Sequence, residues 1–386
     1  MAKRLVAAMA KSLDPYFDLI LDDDVDDNRW PKVLDYYKKA GHQSIMCESI
    51  SRQRFDDLKH LETKNGWTLA RAINTGVTNP SSFTGCHAGD LESYSLFRPF
   101  FKDVIEKYHV GFDMEKHKHV TDMDVNKITE KLEAHAQKKI VSSRIRCARN
   151  LAMFPLNTCG TKESRLEIAD MMEKVFKTFP AELQGTFHRH TNMTDDEIKY
   201  WVDKHFLFRG GDVMQAASGY HADWPHGRGI FVSKTENFLM WLNEGDHLRI
   251  ISMEMGGDIE ATFDRLGKCA QAVEDGLRKI TGQQEVYARD DVLGMITCCP
   301  TNLGTGMRGS VHILIPKLIK KIGLDGIDKI AREMQCQARG SSGEHSEVVD
   351  RVDISNWRRL GFPECQLVQD MIKCVNYISK LEDELV

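Results

Sequence analysis

One strand-loop-strand segment, residues 292–315, limits the possible folds of this chain more than any other stretch. The apolar runs 292–297 and 311–315 predict two β-strands. Between them, the chain reads Cys-Cys-Pro-Thr-Asn-Leu-Gly-Thr-Gly-Met-Arg-Gly-Ser over residues 298–310. A polar loop held between rigid strands positions reactive side chains accurately. The segment therefore predicts a functional loop inside a sheet, although a tight connection with a buried cysteine has the same pattern.

The length and the distribution of apolar residues predict two domains. A chain of 386 residues has enough material for roughly two of them. Residues 1–115 contain short amphipathic stretches broken by glycine and proline, which predicts a small all-α N-terminal domain. Residues 116–138 are rich in charge and histidine, and we interpret them as an exposed linker rather than a metal site.

Residues 139–386 predict a larger domain in which strands and helices alternate. Three short apolar runs, 229–232, 237–242 and 248–253, are separated by gaps of turn length, which is typical of an antiparallel meander. Apolar residues three and four apart predict long helices over 259–280 and 367–381. The fold class is therefore α+β, with a small all-α N-terminal domain and a larger C-terminal domain whose mainly antiparallel sheet is flanked by helices.

Charge and cysteine content exclude several classes of function. A formal charge of −5 provides no basic field for nucleic acid. No apolar run approaches the ~20 residues that a membrane span requires, and we recognise no secretory signal. The ten cysteines lack disulfide-framework or zinc-site spacing, which favours a reducing compartment. We therefore expect a cytoplasmic protein with neither nucleic-acid nor membrane partners.

Several motifs together resemble the phosphagen kinases, the ATP:guanidino phosphotransferases. Cys-Pro-Thr-Asn-Leu-Gly-Thr-Gly at 299–306, followed by Arg308 and Val-His at 311–312, resembles the family signature. The likeness extends through 224–230 and 359–361 and covers the chain from about Gly66 onward. It implies reversible transfer of the γ-phosphoryl group of Mg-ATP to a small guanidino compound. It also implies Mg²⁺ held by nucleotide phosphates and water rather than by protein ligands, and a homodimer.

The chain has neither a GxxxxGK[ST] loop nor a strand-GxGxxG-helix unit, so a nucleotide must be held another way. Arginine is a suitable substitute because its planar guanidinium pairs with two phosphate oxygens. Arg144 and Arg146 lie two residues apart and would face the same way on a strand. Without the resemblance, each of these arginines is more typical of a surface ion pair. The resemblance implies phosphate contacts for five arginines, adenosine contacts for two histidines and a further nucleotide contact for one aspartate. The implied nucleotide-binding residues are Arg144, Arg146, His205, Arg249, Arg308, His312, Arg339 and Asp353.

A second group of residues is implied for the guanidine. A guanidinium is a poor nucleophile that must be oriented and deprotonated, and carboxylates match its planar N–H groups. Glu344 matches a family position that pairs with the guanidine, although composition alone describes it as a solvated loop residue. Cys299 matches the reactive family cysteine, whose role is electrostatic and orienting, and we expect Arg308 and other positive charge to lower its pKa.

The turn Asn243-Glu244-Gly245-Asp246 departs from the family pattern. The related turn reads Asn-Glu-Glu-Asp, and its second glutamate is the candidate base. Glycine can neither accept a proton nor pair with the substrate. Either Glu244 or Asp246 takes this role, or Glu344 acts with Cys299 alone.

The loop over residues 76–90 matches the family segment that selects the guanidine. It is shorter than in creatine kinases and equal in length to that of arginine kinases, but its residues differ from theirs. The overall likeness of the chain to invertebrate lombricine kinases, more than any one residue, implies lombricine as the substrate, followed by taurocyamine and arginine, with creatine last. The candidate substrate-binding residues are Ser82, Phe83, Thr84, His87 and Tyr108.

Two other functions fit parts of the pattern. Bacterial protein arginine kinases have a similar catalytic domain but lack the small helical domain that is recognisable here. A non-catalytic nucleotide-binding scaffold would explain Gly245, but it would not explain why Cys299, Glu344 and all five arginines are present.

Overall fold

Short helices form the N-terminal part of the chain in the computed structural model, which describes residues 25–41, 44–340 and 350–385. Polar side chains fix where several helices begin: Thr68 accepts a hydrogen bond from the backbone N–H of Arg71, and Asp90 accepts one from that of Ser93. Their apolar faces meet around Trp67 and Phe101, which are almost fully buried. The helices are α1 (Lys32–Ala40), α2 (Ile45–Ser49), α3 (Arg52–Leu58), α4 (Leu69–Thr78), α5 (Leu91–Leu96) and α6 (Arg98–Tyr108).

The segment after α6 crosses to the rest of the chain with little regular structure. It contains one 3₁₀ turn (Val125–Lys127) and the short helix α7 (Ala134–Gln137). Most of its side chains are exposed, but Ile128 and Ala136 are buried in the larger hydrophobic core. The segment predicted as an exposed linker therefore has two buried positions, because its apolar side chains pack against the sheet domain.

An eight-stranded sheet forms the centre of the C-terminal part, and each pair of neighbouring strands is antiparallel. Its strands are β1 (Ile140–Arg149), β2 (Gly185–Arg189), β3 (Gly229–Ser233), β4 (Phe238–Leu242), β5 (Leu248–Met255), β8 (Met307–Leu314), β9 (Cys336–Gly340) and β10 (Arg351–Asn356). They lie side by side in the order β2-β3-β4-β5-β1-β8-β10-β9. Strands β3, β4 and β5 form the predicted meander.

Long helices cover one face of this sheet. Ser143 on β1 contacts Thr262 of a helix through their hydroxyl groups at 3.2 Å, and Ile145 and Cys147 are fully buried on the same side. Because side chains alternate along a strand, Arg144 and Arg146 must point to the opposite face. The helices of this part are α8 (Lys162–Phe176), α9 (Asp195–Asp203), α10 (Val213–Ala217), α11 (Ile259–Thr281), α12 (Pro316–Glu333, interrupted at Gly323) and α13 (Glu364–Asp383). No helix of the described chain is both long and apolar enough to cross a membrane.

The predicted strand over 292–297 is largely wrong. Only Gly294–Met295 (β7) pairs as a strand, in a two-stranded ribbon with Arg289–Asp290 (β6). The apolar residues that follow are used for domain contact instead: the carbonyl of Cys298 accepts from the backbone N–H of Ala88 at 2.8 Å, and the carbonyl of Thr297 accepts from the Tyr94 hydroxyl at 2.7 Å. The loop thus lies where the helical part meets the sheet.

Candidate functional site

Strand register brings four of the predicted arginines to the face of the sheet that the long helices leave open. Residues opposite each other on antiparallel strands share a face. Arg146 on β1 lies opposite Arg308 on β8. Ala148, on the same side of β1 as Arg146, lies opposite Arg249 on β5. Together with Arg144, these arginines form one cationic surface, which we call the arginine face.

The remaining polar residues predicted on strands continue this surface toward the sheet edge. Arg339 on β9 lies opposite Asp353 on β10, and Asp353 lies opposite His312 on β8. His312 is in turn opposite Ser142, two residues from Arg144 and therefore on the same side of β1. The sheet thus unites seven of the eight residues implied for nucleotide binding on one face.

The arginine face carries an excess of positive charge. Burial, with the neighbouring Arg308 as a second cause, lowers the pKa of Arg144 to about 10. Burial and three nearby arginines lower the pKa of Arg146 well below its usual range. Within the described part of the chain, the buried Nε and Nη2 atoms of Arg144 have no hydrogen-bond partner, whereas Nη2 of Arg308 donates to Asp353 Oδ2 at 2.7 Å. Buried, unpaired cationic donors favour a bound anion.

An aromatic side chain that sequence reasoning missed lies beside these arginines. Trp241 on β4 is opposite Arg249, and its ring centre is 5.4 Å from the guanidinium carbon of Arg144. Trp241 Nε1 donates to the carbonyl of Phe206 at 2.6 Å. The predicted His205, which directly precedes Phe206, is exposed and has a φ of 58°. Only the register of β4 against β5 identifies Trp241 as part of the site.

The reactive thiol predicted at Cys299 lies in the loop between the two parts of the chain. It is half-buried, and its Sγ lies 3.1 Å from the hydroxyl of Thr301. Burial raises the pKa of Cys299, an effect that the hydrogen bond from Thr301 and the charge of Arg359 only partly oppose. The expectation that Arg308 lowers this pKa is wrong, because the Arg308 guanidinium is directed to Asp353.

The two carboxylates of the 243–246 turn have different surroundings. Glu244 Oε2 lies 3.3 Å from Arg249 Nε and accepts from the backbone N–H of Gly245, and its side chain is 14% exposed. The Asp246 side chain is 0% exposed and lies 3.1 Å from Arg249 Nη2. Asp246 Oδ1 also accepts from Asn150 and from the backbone N–H of Cys298. Asp246 therefore holds the turn against the loop, whereas Glu244 retains access to the site.

Some of the residues predicted to select the guanidine are buried and support the loop over residues 76–90, whereas others are exposed. Ser82 and Thr84 are buried, and the Ser82 hydroxyl accepts from the backbone N–H of Gly85 at 3.1 Å, which stabilises the loop. Phe83 is 70% exposed, with its ring centre 6.1 Å from that of Tyr108. Phe83 and Tyr108 are thus the members available to a ligand at this end.

Tyr108 is connected to the thiol loop by a residue outside the predicted site. Arg359 Nη1 donates both to the Tyr108 hydroxyl, at 3.3 Å, and to the carbonyl of Thr301, at 3.1 Å. Thr301 contacts Cys299. Arg359 belongs to the segment 359–361, which resembles the family sequence. Its position between Tyr108 and Thr301 depends on how the two domains pack together, and no local sequence pattern predicts that packing.

His87, another predicted substrate-binding residue, contacts Thr75 and Tyr220 rather than Phe83 or Tyr108. Its Nδ1 is 3.1 Å from the Thr75 hydroxyl, and its ring contacts that of Tyr220 edge-on, with centres 5.2 Å apart. Burial lowers the pKa of His87 to about 4, with Asp246 opposing the shift, so the imidazole is neutral near pH 7. Glu344 lies outside the described residues.

Within residues 25–41, 44–340 and 350–385, no group of three or more His, Cys, Asp and Glu side chains is arranged to hold a metal ion. The carboxylates nearest the arginine face, Glu244, Asp246 and Asp353, are each paired with an arginine.

The chain matches two family descriptions. Residues 167–385 match "ATP:guanido phosphotransferase, C-terminal catalytic domain", and residues 40–106 match "ATP:guanido phosphotransferase, N-terminal domain". The C-terminal match alone covers more than half of the chain.

Individual relatives agree with this match. The chain is 40% identical over 343 residues to an arginine kinase of Polybetes pythagoricus, covering 88% of this chain and 93% of the relative. An arginine kinase of Artemia franciscana is 39% identical over 342 residues, again covering 88% of this chain and 93% of the relative.

Solved structures include a lombricine kinase, with a TM-score of 0.83, 32% identity, and coverage of 89% of this chain and 93% of that one. They also include the duplicated taurocyamine kinase of Schistosoma mansoni with bound transition state analog components, with a TM-score of 0.80 and 34% identity over 88% of this chain. This chain spans about half the length of that duplicated enzyme, 46%.

Proposed function

The chain belongs to the ATP:guanidino phosphotransferase (phosphagen kinase) family, and from this premise we propose that it phosphorylates a small guanidino compound, with lombricine as the first candidate. The reaction is the reversible transfer of the γ-phosphoryl group of Mg-ATP to a guanidino nitrogen. The observation that carries the proposal is the arginine face, whose buried donors on Arg144 have no partner among the residues that the structure describes.

The arginine face suits a nucleotide polyphosphate. Phosphoryl transfer depends chiefly on alignment and on neutralisation of phosphate charge. Several guanidiniums on one rigid sheet supply both, because each can pair with two phosphate oxygens. Trp241 borders this face and is bonded to Phe206, the neighbour of the predicted His205, which supports placing the base and ribose there.

Magnesium would enter with the nucleotide. Because Glu244, Asp246 and Asp353 are already paired with arginine, the ion would be held through phosphate oxygens and water. Bound there, it would supply further charge neutralisation at the phosphates.

The thiol loop and the 243–246 turn suit the guanidino group. The Glu244 side chain is 14% exposed, whereas that of Asp246 is 0% exposed, so Glu244 is the preferred proton acceptor within the described residues. Asp246 is engaged by Asn150 and Cys298 and supports the loop instead. Cys299 would orient the guanidinium. A cation bound beside the thiol would favour the thiolate and offset the pKa-raising effect of burial.

Lombricine comes first because the structure of a lombricine kinase superimposes with a TM-score of 0.83 over most of both chains. Arginine is the second candidate, favoured by the 40% identity to an arginine kinase. Taurocyamine is the third, from the similarity to the duplicated enzyme. Protein-bound arginine and a non-catalytic scaffold remain the alternatives if free guanidines fail.

The test is ADP formation from Mg-ATP with lombricine, arginine, taurocyamine, glycocyamine and creatine, each at several concentrations. The proposal expects the highest kcat/KM for lombricine. A higher value for arginine or taurocyamine would correct the substrate and retain the reaction. No turnover with any of them, while ATP still binds, would refute the kinase proposal.

We further propose a cytoplasmic homodimer. Size-exclusion chromatography with light scattering tests the assembly: a mass near 88 kDa, twice the 44.0 kDa of the chain, supports a dimer, and 44 kDa contradicts it.

A further inference from the structure

We infer that Tyr220, together with His87, forms an aromatic wall of the guanidino pocket and fills the space beside Gly245. Tyr220 would then be a specificity-determining residue that helps orient the guanidinium next to the reactive thiol. This inference rests on the proposed function and deepens it.

The position of Tyr220 is fixed by the backbone around it. Its N–H donates to the carbonyl of Gln215 at 3.0 Å. Its carbonyl accepts from Nη2 of Arg228 at 2.6 Å, and Nε of the same arginine donates to the carbonyl of Asn243 at 3.1 Å. Arg228 is only 1% exposed, so a buried guanidinium couples the Tyr220 loop to the turn that contains Gly245.

The space beside Gly245 is already occupied by neighbouring side chains. A Cβ atom at this position would lie 3.5 and 3.6 Å from Tyr220 Cε2 and Cζ, which is ordinary contact, and 3.1 Å from Arg249 Nη2, which is tight. A longer side chain would therefore have to displace the Tyr220 ring or the arginine. The tyrosine and the glycine are thus complementary in size.

The surroundings of the Tyr220 ring suit a planar cation. Tyr220 is 6% exposed, and its contact distance to a Cβ at Gly245 places the ring beside the 243–246 turn. This turn contacts the thiol loop, because Asp246 Oδ1 accepts from the backbone N–H of Cys298. His87 meets the ring edge-on at 75° and is neutral near pH 7, so it does not repel a guanidinium. Neutral aromatic rings attract a guanidinium through cation–π interaction.

The test compares steady-state kinetics of Tyr220→Ala and Tyr220→Phe with wild type, using the guanidine that wild type turns over best. We expect Tyr220→Ala to raise the KM for the guanidine at least tenfold and to leave the KM for Mg-ATP within twofold. Tyr220→Phe retains the ring and should keep both values within about twofold. The matched control is Tyr200→Ala, which removes a tyrosine that is 49% exposed and should change neither.

A double-mutant cycle tests the contact with position 245 directly. Gly245→Glu should lower kcat/KM for the guanidine strongly, and adding Tyr220→Ala should recover at least tenfold because the new side chain gains room. An unchanged guanidine KM in Tyr220→Ala, a large loss in Tyr220→Phe, or no recovery in the double variant would each overturn the inference while wild-type turnover stands. A wild-type protein inactive on every guanidine would refute the proposed function and this inference with it.

Discussion

Replacing Arg144 by methionine should stabilise the ligand-free protein and weaken nucleotide binding, two effects of opposite sign from one substitution. The lowering of the Arg144 pKa from 12.5 to about 10 corresponds to about 3 kcal/mol of unfavourable free energy for the charged side chain in the ligand-free fold. Removing the charge also loses its contact with Trp241, which contributes about 0.5–1 kcal/mol. The net gain is about 2 kcal/mol, or roughly 2–3 °C in Tm for a chain of this length.

The same substitution removes two buried donors, Nε and Nη2, which have no hydrogen-bond partner among the described residues. A hydrogen bond to a charged group contributes about 1.5–3 kcal/mol. Allowing for desolvation, the loss is about 3 kcal/mol, or roughly a hundredfold in Kd for ADP. At an ADP concentration 100 times the wild-type Kd, the stabilisation by ADP should fall from about 2.7 to about 0.4 kcal/mol.

Differential scanning calorimetry with and without Mg-ADP measures both effects. The control is Arg265→Met, because Arg265 lies 2.7 Å from Glu254 and its charge is compensated. That variant should lose stability and keep the full ADP effect. A lower Tm for ligand-free Arg144→Met, or an ADP effect equal to wild type, would refute the reasoning.

Three further predictions concern other parts of the molecule. Cys299→Ala should sharply lower turnover and leave ADP affinity, measured by calorimetric titration, nearly unchanged; a comparable loss of ADP affinity would contradict a role on the guanidine side. Arg308→Ala should cripple nucleotide use and leave the Asp353 carboxylate unpaired, and adding Asp353→Asn should restore Tm but not activity; normal activity in Arg308→Ala would contradict its phosphate role. Burial lowers the pKa of His109 to about 3 and that of His247 to about 4, and His247 Nδ1 accepts from a backbone N–H, which requires the neutral ring. Because the unfolded chain takes up protons at these histidines below about pH 6.5 and the folded protein does not, their contribution to stability should fall as the pH drops from 6.5 toward 4. Thermal unfolding across this range checks the sign, and a Tm that rises with acidification would be inconsistent with it.

Periodicity predicted most of the helices and strands, but it did not predict which of them lie beside each other. The two-residue spacing of Arg144 and Arg146 predicts a shared face, and the structure confirms it. Which strand lies beside β1 is a long-range property, so the position of Trp241 against Arg144 could not be predicted. The segment 292–297 was predicted as a strand because its residues are apolar, but the carbonyls of Thr297 and Cys298 bind the helical domain instead.

The pKa of the Cys299 thiol depends on which charged side chains pair with each other in the fold, and the sequence does not specify those pairs. Arg308 is close in sequence to Cys299, which suggested a lowered thiol pKa. In the fold, Asp353 attracts the guanidinium, and burial dominates at the thiol. The absence of a side chain at Gly245 was visible in the sequence, but the ring that occupies the adjacent space comes from Tyr220, 25 positions earlier in the chain.

The most direct test of the central claim is phosphorus-31 NMR of the protein with Mg-ATP and each guanidine of the panel. The claim predicts that the γ-phosphate signal is lost as a P–N product signal grows with at least one guanidine. It also predicts that neither Arg144→Met nor Cys299→Ala forms this product at a comparable rate. Release of inorganic phosphate alone, or a P–N product formed equally fast by Arg144→Met, would contradict the claim that the arginine face aligns the nucleotide for transfer to a guanidine.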